Sequence, residues 1–304
     1  MNNHEYFKKT SVDIWRTLNQ FNKTNKISMK ALLFPGQGSQ VKGMGGDLFD
    51  KYPEIVTQAD AVLGYSIKEL CLEDPKEQLG FTAYTQPALY TVSVLAYLDK
   101  KQADGFSVDF AAGHSVGEYA ALYSAGAFDF ETGLKLVQKR GALMNEVEGG
   151  GMAAVVGLTE DKIRELLSGA GLDTVDLANF NTPEQIVISG LASDIDKCEP
   201  IIKGAGRVLF VRLNVSGAFH SRYMKDSADT YAAYINSFEF KAPASPVVSN
   251  VEATSYASTD AVKDLLIKQM YSPVRWVDSI RYIKAQGEIE FEEVGSGNVL
   301  TKLL

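Results

Sequence analysis

The chain has 304 residues, 45% of them hydrophobic, with a formal net charge of −8 and two cysteines, Cys71 and Cys198. That is enough apolar material for one large domain, or for a main domain with a smaller insert. The acidic balance argues against a nucleic-acid partner, the absence of a run of about 20 apolar residues argues against a membrane span, and two distant thiols argue against a zinc site or a disulfide framework.

In chain order, residues 1–28 stand apart. They hold five Lys/Arg against two Asp/Glu, leaving the segment about +3 and the remainder about −11. The segment has no apolar core of a signal peptide, and residues 12–21 are weakly amphipathic at helical spacing. It reads as a leader, linker or docking appendage, and the chain as cytoplasmic. Lys30-Ala31-Leu32-Leu33-Phe34 predicts a buried strand running into Pro35-Gly36-Gln37-Gly38-Ser39-Gln40. That loop is either a simple turn or a presenter of backbone N–H groups. It lacks the Gly-Lys-Ser/Thr of a phosphate loop, so its better use is an oxyanion hole with the Gln37 N–H facing a nucleophile. A helix is predicted over 49–63 and another over 84–98, with Gln86 at its entrance and Pro87 in its first turn, where proline is tolerated.

An extended run over 106–112 then leads into Gly113-His114-Ser115-Val116-Gly117, and a helix former over 118–127 leads out. Strand, Gly-x-Ser-x-Gly, helix is the context of a nucleophile elbow, although the same pentapeptide also serves as a plain strand-to-helix turn. On the elbow reading Ser115 is the nucleophile, with the helix N-terminus behind it. There are three histidines, His4, His114 and His220. His4 lies in the N-terminal tail, and His114 adjoins Ser115 on a tight turn where neighbouring side chains diverge. If Ser115 needs an imidazole base, His220 is the reasonable candidate.

A helix over 131–147 places Arg140 on one apolar face with Leu136, Val137, Leu143 and Met144. A guanidinium there either snorkels into a salt bridge or serves as a fork for a substrate carboxylate. Gly149-Gly150-Gly151 reads as a hinge. Strand 152–158, a helix over 160–168 capped by Thr159, strands 175–180 and 185–189, helix 193–203 and strand 207–215 follow in the order β-α-β-β-α-β, the ferredoxin-like order. Asn179 and Asn181, at a strand end, either line a cleft or are turn residues. Gly217-Ala218-Phe219-His220-Ser221 returns the chain to the larger part. The remainder predicts helix 222–238, strand 246–250, helix 261–270, helix 276–285, strand 289–294 and a last helix capped by 295–298.

Taken together, residues 34–40, Gln86, the elbow, Arg140, the 217–221 loop and the 294–297 end resemble malonyl-CoA:acyl carrier protein transacylases, a group that includes stand-alone acyltransferases of polyketide synthesis. The resemblance covers residues 30–304. It implies an α/β fold in which an α/β-hydrolase-like large subdomain (29–148 and 216–304) carries an inserted ferredoxin-like small subdomain (149–215). It implies transfer of malonyl from coenzyme A to the phosphopantetheine thiol of an acyl carrier protein, for polyketide or fatty-acid synthesis. Coenzyme A and phosphopantetheine then act as substrate carriers, with no bound cofactor or metal. Ser115 matches the acylated nucleophile and His220 the base. Gln269, in Lys268-Gln269-Met270-Tyr271, matches the residue whose carbonyl orients that base. Gln37 and Val116 match the oxyanion-hole donors, Gln86 a glutamine of the pocket and Arg140 the binder of the malonyl carboxylate. Phe219 matches the malonyl-type loop, a bulky ring that leaves little room for a methyl group at C2. An acyl hydrolase on the same scaffold and a catalytically silent carrier-docking subunit are the alternatives. Arg140 weighs against the first, and the Ser115, His220 and Gln37 set against the second.

Overall fold

The computed structural model describes residues 28–304, so the expectations for the N-terminal segment, including His4 and the amphipathic run at 12–21, lie outside the described residues. The protein is α/β, built on two four-stranded sheets. The first is entirely parallel. It comprises β1 (Met29–Phe34), β2 (Phe110–Gly113), β7 (Val247–Val248) and β8 (Ile289–Glu293), in the order β7-β2-β1-β8. Alternation along β1 sends Leu32 and Phe34 to one face and Ala31 and Leu33 to the other. Both faces are covered, as a parallel sheet requires.

On the Leu32 and Phe34 face lie α4 (Thr82–Lys101), α5 (Gly117–Ser124) and α6 (Phe130–Asn145), preceded in the chain by α1 (Leu48–Lys51), α2 (Pro53–Leu63) and α3 (Ile67–Leu72). On the opposite face lies the helix Trp276–Lys284.

The second sheet is antiparallel, with β3 (Gly150–Val156), β4 (Asp176–Thr182), β5 (Gln185–Leu191) and β6 (Leu209–Arg212) in the order β4-β5-β3-β6. The connecting helices α7 (Glu160–Gly169) and α8 (Ala192–Lys203) pack on one face over Val155, Ile186 and Ile188. From the other face Met152, Ala178 and Val187 join the main core, so the two sheets share apolar contacts. After β6 the chain forms a 3-10 turn at Arg222–Met224, α9 (Lys225–Ile235), β7, α10 (Thr259–Gln269), α11 (Trp276–Lys284), β8 and a 3-10 turn at Thr301–Leu303.

Several boundaries differ from the sequence reading. The helix at 49–63 breaks at Tyr52 (φ −126°, ψ 58°), because Pro53 disfavours helical geometry in its predecessor and restarts the helix. Pro87 lies beyond the first turn, since α4 begins at Thr82, and it forgoes one backbone hydrogen bond inside the helix. Gly150 and Gly151 belong to β3, paired with Leu191 and Gly190, and form no hinge. Thr159 precedes α7 without a side-chain cap bond. Asn179 and Asn181 sit within β4, not in a turn. β6 and β7 are shorter than the apolar runs containing them, because an apolar run continues past the last ladder pair.

The register of the parallel sheet positions the site. Phe34 pairs with Gly113, so the carboxyl ends of β1 and β2 lie side by side, and the loops that leave them share one crevice. The ends of β7 and β8 open at the same edge. Asn250, just past β7, bonds to the β2 elbow, and Ser296 Oγ, past β8, donates to the Ser39 carbonyl at 2.7 Å.

Candidate active site

The turn after β2 is tight because two glycines let backbones touch. A Cβ on Gly113 would lie 2.0 Å from the Gly117 carbonyl carbon, and one on Gly117 would lie 2.1 Å from the Phe34 oxygen. Between them Ser115 takes a left-handed backbone, φ 53°. That conformation is uncommon for a residue with a Cβ and lifts the side chain out of the turn. Asn250 braces it. Its Oδ1 accepts from the Ser115 N–H at 2.8 Å, and its Nδ2 donates to the Gly113 carbonyl at 2.7 Å.

His220 arrives from the loop that follows the second sheet, also left-handed at φ 57°. Its N–H donates to the Met270 carbonyl at 3.1 Å. The ring lies between two partners: Nδ1 is 2.7 Å from the Gln269 carbonyl oxygen, and Nε2 is 2.7 Å from Ser115 Oγ. A carbonyl only accepts, so Nδ1 carries the proton and the Nε2 lone pair faces the serine. Burial, reinforced by the charge of Arg140, pushes the imidazole down to about 3, so it is neutral at neutral pH.

Arg140 projects from α6 and is fully buried. Nη1 donates to Gln86 Oε1 at 2.7 Å, while Nη2 donates to Gln269 Oε1 at 2.8 Å and to Ser115 Oγ at 3.2 Å. All three partners are neutral oxygens, and Nε is buried with no partner among the described residues. A cation so held retains its capacity for an anion. Gln86 is fixed in turn by its Nε2 against Met144 Sδ at 3.3 Å.

These groups line a cavity of about 80 Å³ with Phe219, Val116 and Gln37. The Gln37 side chain reaches Thr82 Oγ1 at 3.1 Å. Among the described residues neither the Gln37 nor the Val116 backbone N–H is spent on a hydrogen bond.

Ser115, His220, Gln37, Val116, Gln86, Arg140 and Phe219 therefore lie at one cavity, with Gln269 directly behind it, while Asn179 and Asn181 are not among its lining residues. One sequence inference needs correction: His114 does not turn away from the site. It lines the same cavity, with Nε2 held 2.9 Å from Asn181 Oδ1 on β4 and the ring 5.5 Å from that of Trp276. Two further residues were missed. Asn250 carries no motif signal. Glu118 carries one that was read only as a helix start, an acid within the otherwise uncharged run 117–122, every residue of which is buried. Its carboxylate accepts from the Asn250 N–H at 3.1 Å, from the Tyr256 hydroxyl and from Gln269 Nε2. Burial drives it up to about 7 against those hydrogen bonds and the pull of Arg140.

Residues 31–303 match the family model described as the acyl transferase domain. The polyketide biosynthesis malonyl CoA-acyl carrier protein transacylase BaeC of Bacillus velezensis is 51% identical over 277 residues, covering 91% of this chain and 96% of that protein. The polyketide biosynthesis protein PksE of Bacillus subtilis is 52% identical over 277 residues, again 91% of this chain, but the chain spans only 36% of PksE. Among solved structures, the malonyl CoA-acyl carrier protein transacylase from Burkholderia pseudomallei superposes with a TM-score of 0.89 at 50% identity, covering 91% of this chain and 96% of the other.

Proposed function

The chain belongs to the acyl transferase domain family, and from that membership and the geometry of the cavity we propose that it is a malonyl-CoA:acyl carrier protein transacylase serving polyketide or fatty-acid synthesis. One observation carries the reading. A single serine oxygen lies 2.7 Å from a neutral imidazole and 3.2 Å from a buried guanidinium, which is what attack on a thioester bearing a free carboxylate requires.

The cycle is ping-pong. The malonyl carboxylate lies on Arg140, in the bidentate manner that suits a guanidinium. Ser115 Oγ attacks the thioester carbonyl as His220 Nε2 takes its proton. The backbone N–H groups of Gln37 and Val116 hold the tetrahedral oxyanion, and one such donor is typically worth about 2.7–4 kcal/mol. The imidazolium, stabilised by the Gln269 carbonyl and by the new negative charge beside it, returns the proton to the departing coenzyme A thiolate. Malonyl stays on Ser115 until a carrier-protein phosphopantetheine thiol attacks. His220 then takes the thiol proton and gives it to the Ser115 oxygen as the ester breaks. Gln86 holds Arg140, and Phe219 limits the space at C2. Coenzyme A and phosphopantetheine pass through as substrate carriers, with no resident cofactor, and the reaction is set in the cytoplasm.

The fold is assigned in finer detail on the same footing. Residues 29–148 and 216–304 form an α/β-hydrolase-like part. Residues 149–215 form a ferredoxin-like insert, a reading supported by the β-α-β-β-α-β order and the strand order β4-β5-β3-β6.

Labelled malonyl-CoA tests the reading. A transferase carries label on Ser115 and passes it to an added carrier protein, and Ser115→Ala carries none. Rapid release as free malonate marks a hydrolase, and a wild-type chain that is never labelled marks a silent docking subunit.

A further inference from the structure

The Glu118 side chain touches neither the serine hydroxyl nor the cavity, yet the residues that do are tied to it. We infer that Glu118 is a positioning residue, whose carboxylate fixes the orientation of the Gln269 side-chain amide and thereby holds Arg140 toward Ser115. This rests on the transferase reading and names a residue on which the acyl-group selectivity of Arg140 depends.

Gln269 contacts three parts of the site. Its carbonyl receives His220 Nδ1 at 2.7 Å, its Oε1 receives Arg140 Nη2 at 2.8 Å, and its Nε2 donates to the Ser115 carbonyl at 2.9 Å and to Glu118 Oε2. An amide can bond in two orientations. Here a guanidinium that only donates lies on one side and a carboxylate that only accepts lies on the other, so one orientation alone satisfies both. Glu118 Oε1 is occupied by the Asn250 N–H and the Tyr256 hydroxyl, and Asn250 is the residue that braces the elbow. The carboxylate thus meets donors on both oxygens.

Replacing Glu118 with glutamine leaves one acceptor where two are needed. If its oxygen serves Asn250 and Tyr256, its NH2 opposes the NH2 of Gln269. If Gln269 then flips, its NH2 opposes Arg140. Either way two donors face each other in a buried core, and Arg140 or Gln269 must shift. Protonation of Glu118 has the same effect, because the carboxyl O–H becomes a donor. The charged and titratable groups around Glu118 are Arg140 on α6, Tyr256 in the segment after β7 and Tyr119 on its own helix. Titration of Glu118 near 7 lies well above that of His220 near 3, so the two ionisations separate in a pH profile.

The test compares Ser115 acylation of the full chain by malonyl-CoA and by acetyl-CoA, read by rapid quench and intact mass between about pH 5 and 9. The wild type is expected to lose malonyl transfer on an acid limb near 7. Glu118→Gln is expected to lose that limb and to lower the malonyl-over-acetyl preference by about tenfold or more, mostly through a higher KM for malonyl-CoA. Tyr256→Phe, which removes one donor from the carboxylate, moves the limb to higher pH. A folded Glu118→Gln with wild-type preference and an unchanged limb overturns the inference. If that variant does not fold, the inference fails on a wild type with no inflection between about pH 6 and 8, or on a Tyr256→Phe profile that does not move. A wild type that never takes malonyl on Ser115 refutes the transferase reading, and this inference falls with it.

Discussion

Ser115 and His220 share an unusual backbone, both left-handed without being glycine. Each such residue costs on the order of 1–3 kcal/mol, and each is held by side-chain and backbone bonds from elsewhere in the chain. The strain aims both side chains at one point. Their charges bear on stability as well. His220 falls in the folded state to about 3 from an unfolded value of 6.5, so its contribution is present above about 6.5 and is lost as pH falls towards 3. Glu118 runs the other way: its folded value is raised to about 7 from 4.5, so its contribution is present below about 4.5 and is lost as pH rises through 7. His220→Gln should therefore lose less stability than the wild type on acidification from about pH 6.5 to 4, measured by urea midpoints; parallel losses would refute this. At Arg140, alanine should abolish the preference for malonyl over acetyl, read as the ratio of acyl-enzyme formed from a mixture of the two thioesters. Full discrimination by that variant would remove the carboxylate role. Phe219→Ser should raise acylation from methylmalonyl-CoA by about tenfold, since one methyl in a pocket is worth about 1–3 kcal/mol.

At the scale of elements, the elbow depends on strand and helix backbones in contact. Gly117→Ala would place a methyl group 2.1 Å from the Phe34 oxygen and 2.8 Å from that of Pro35, so α5 must move away from β1. A loss of about 1–3 kcal/mol in urea unfolding is expected, with slower acylation of Ser115, because displacing the helix displaces the serine. What the sequence disclosed follows the same physics. Glycines at fixed spacing between a strand and a helix former mark a close approach, so the Ser115 turn was legible. An arginine on an apolar stripe marks a buried cation, so Arg140 was too. The backbone carbonyl of Gln269 has no residue signature and came only from resemblance. The signal at Glu118 is masked, because an acid in a helix's first turn has an ordinary explanation in the helix dipole. The strands expected over 207–215 and 246–250 span only Leu209–Arg212 and Val247–Val248, because periodicity reports burial, while ladder pairing depends on a neighbour elsewhere in the chain.

At the scale of the whole molecule, the cavity is closed by parts that are far apart in sequence. Ser115 lies on the parallel sheet, and His220 lies 105 residues later, beyond the antiparallel one. The His114–Asn181 contact ties the elbow to β4 across that boundary. Asn181→Ala should leave a half-buried imidazole nitrogen without its partner and cost about 1 kcal/mol, visible as a lowered urea midpoint. No change would mean that water or another residue replaces the amide.

The antiparallel sheet leaves and rejoins the rest of the chain at one place. The Gly150 N–H donates to the Ser216 carbonyl at 3.0 Å, and a Cβ on Gly150 would lie 2.2 Å from the Ala218 nitrogen. For an excursion whose two ends are held together, closure entropy grows only slowly with length, so further insertion into it costs little. Ser115, His220 and Arg140 all lie outside that excursion, while Met152 within it lines the cavity, so a change of outline there reshapes one wall of the cleft with those three side chains left in place.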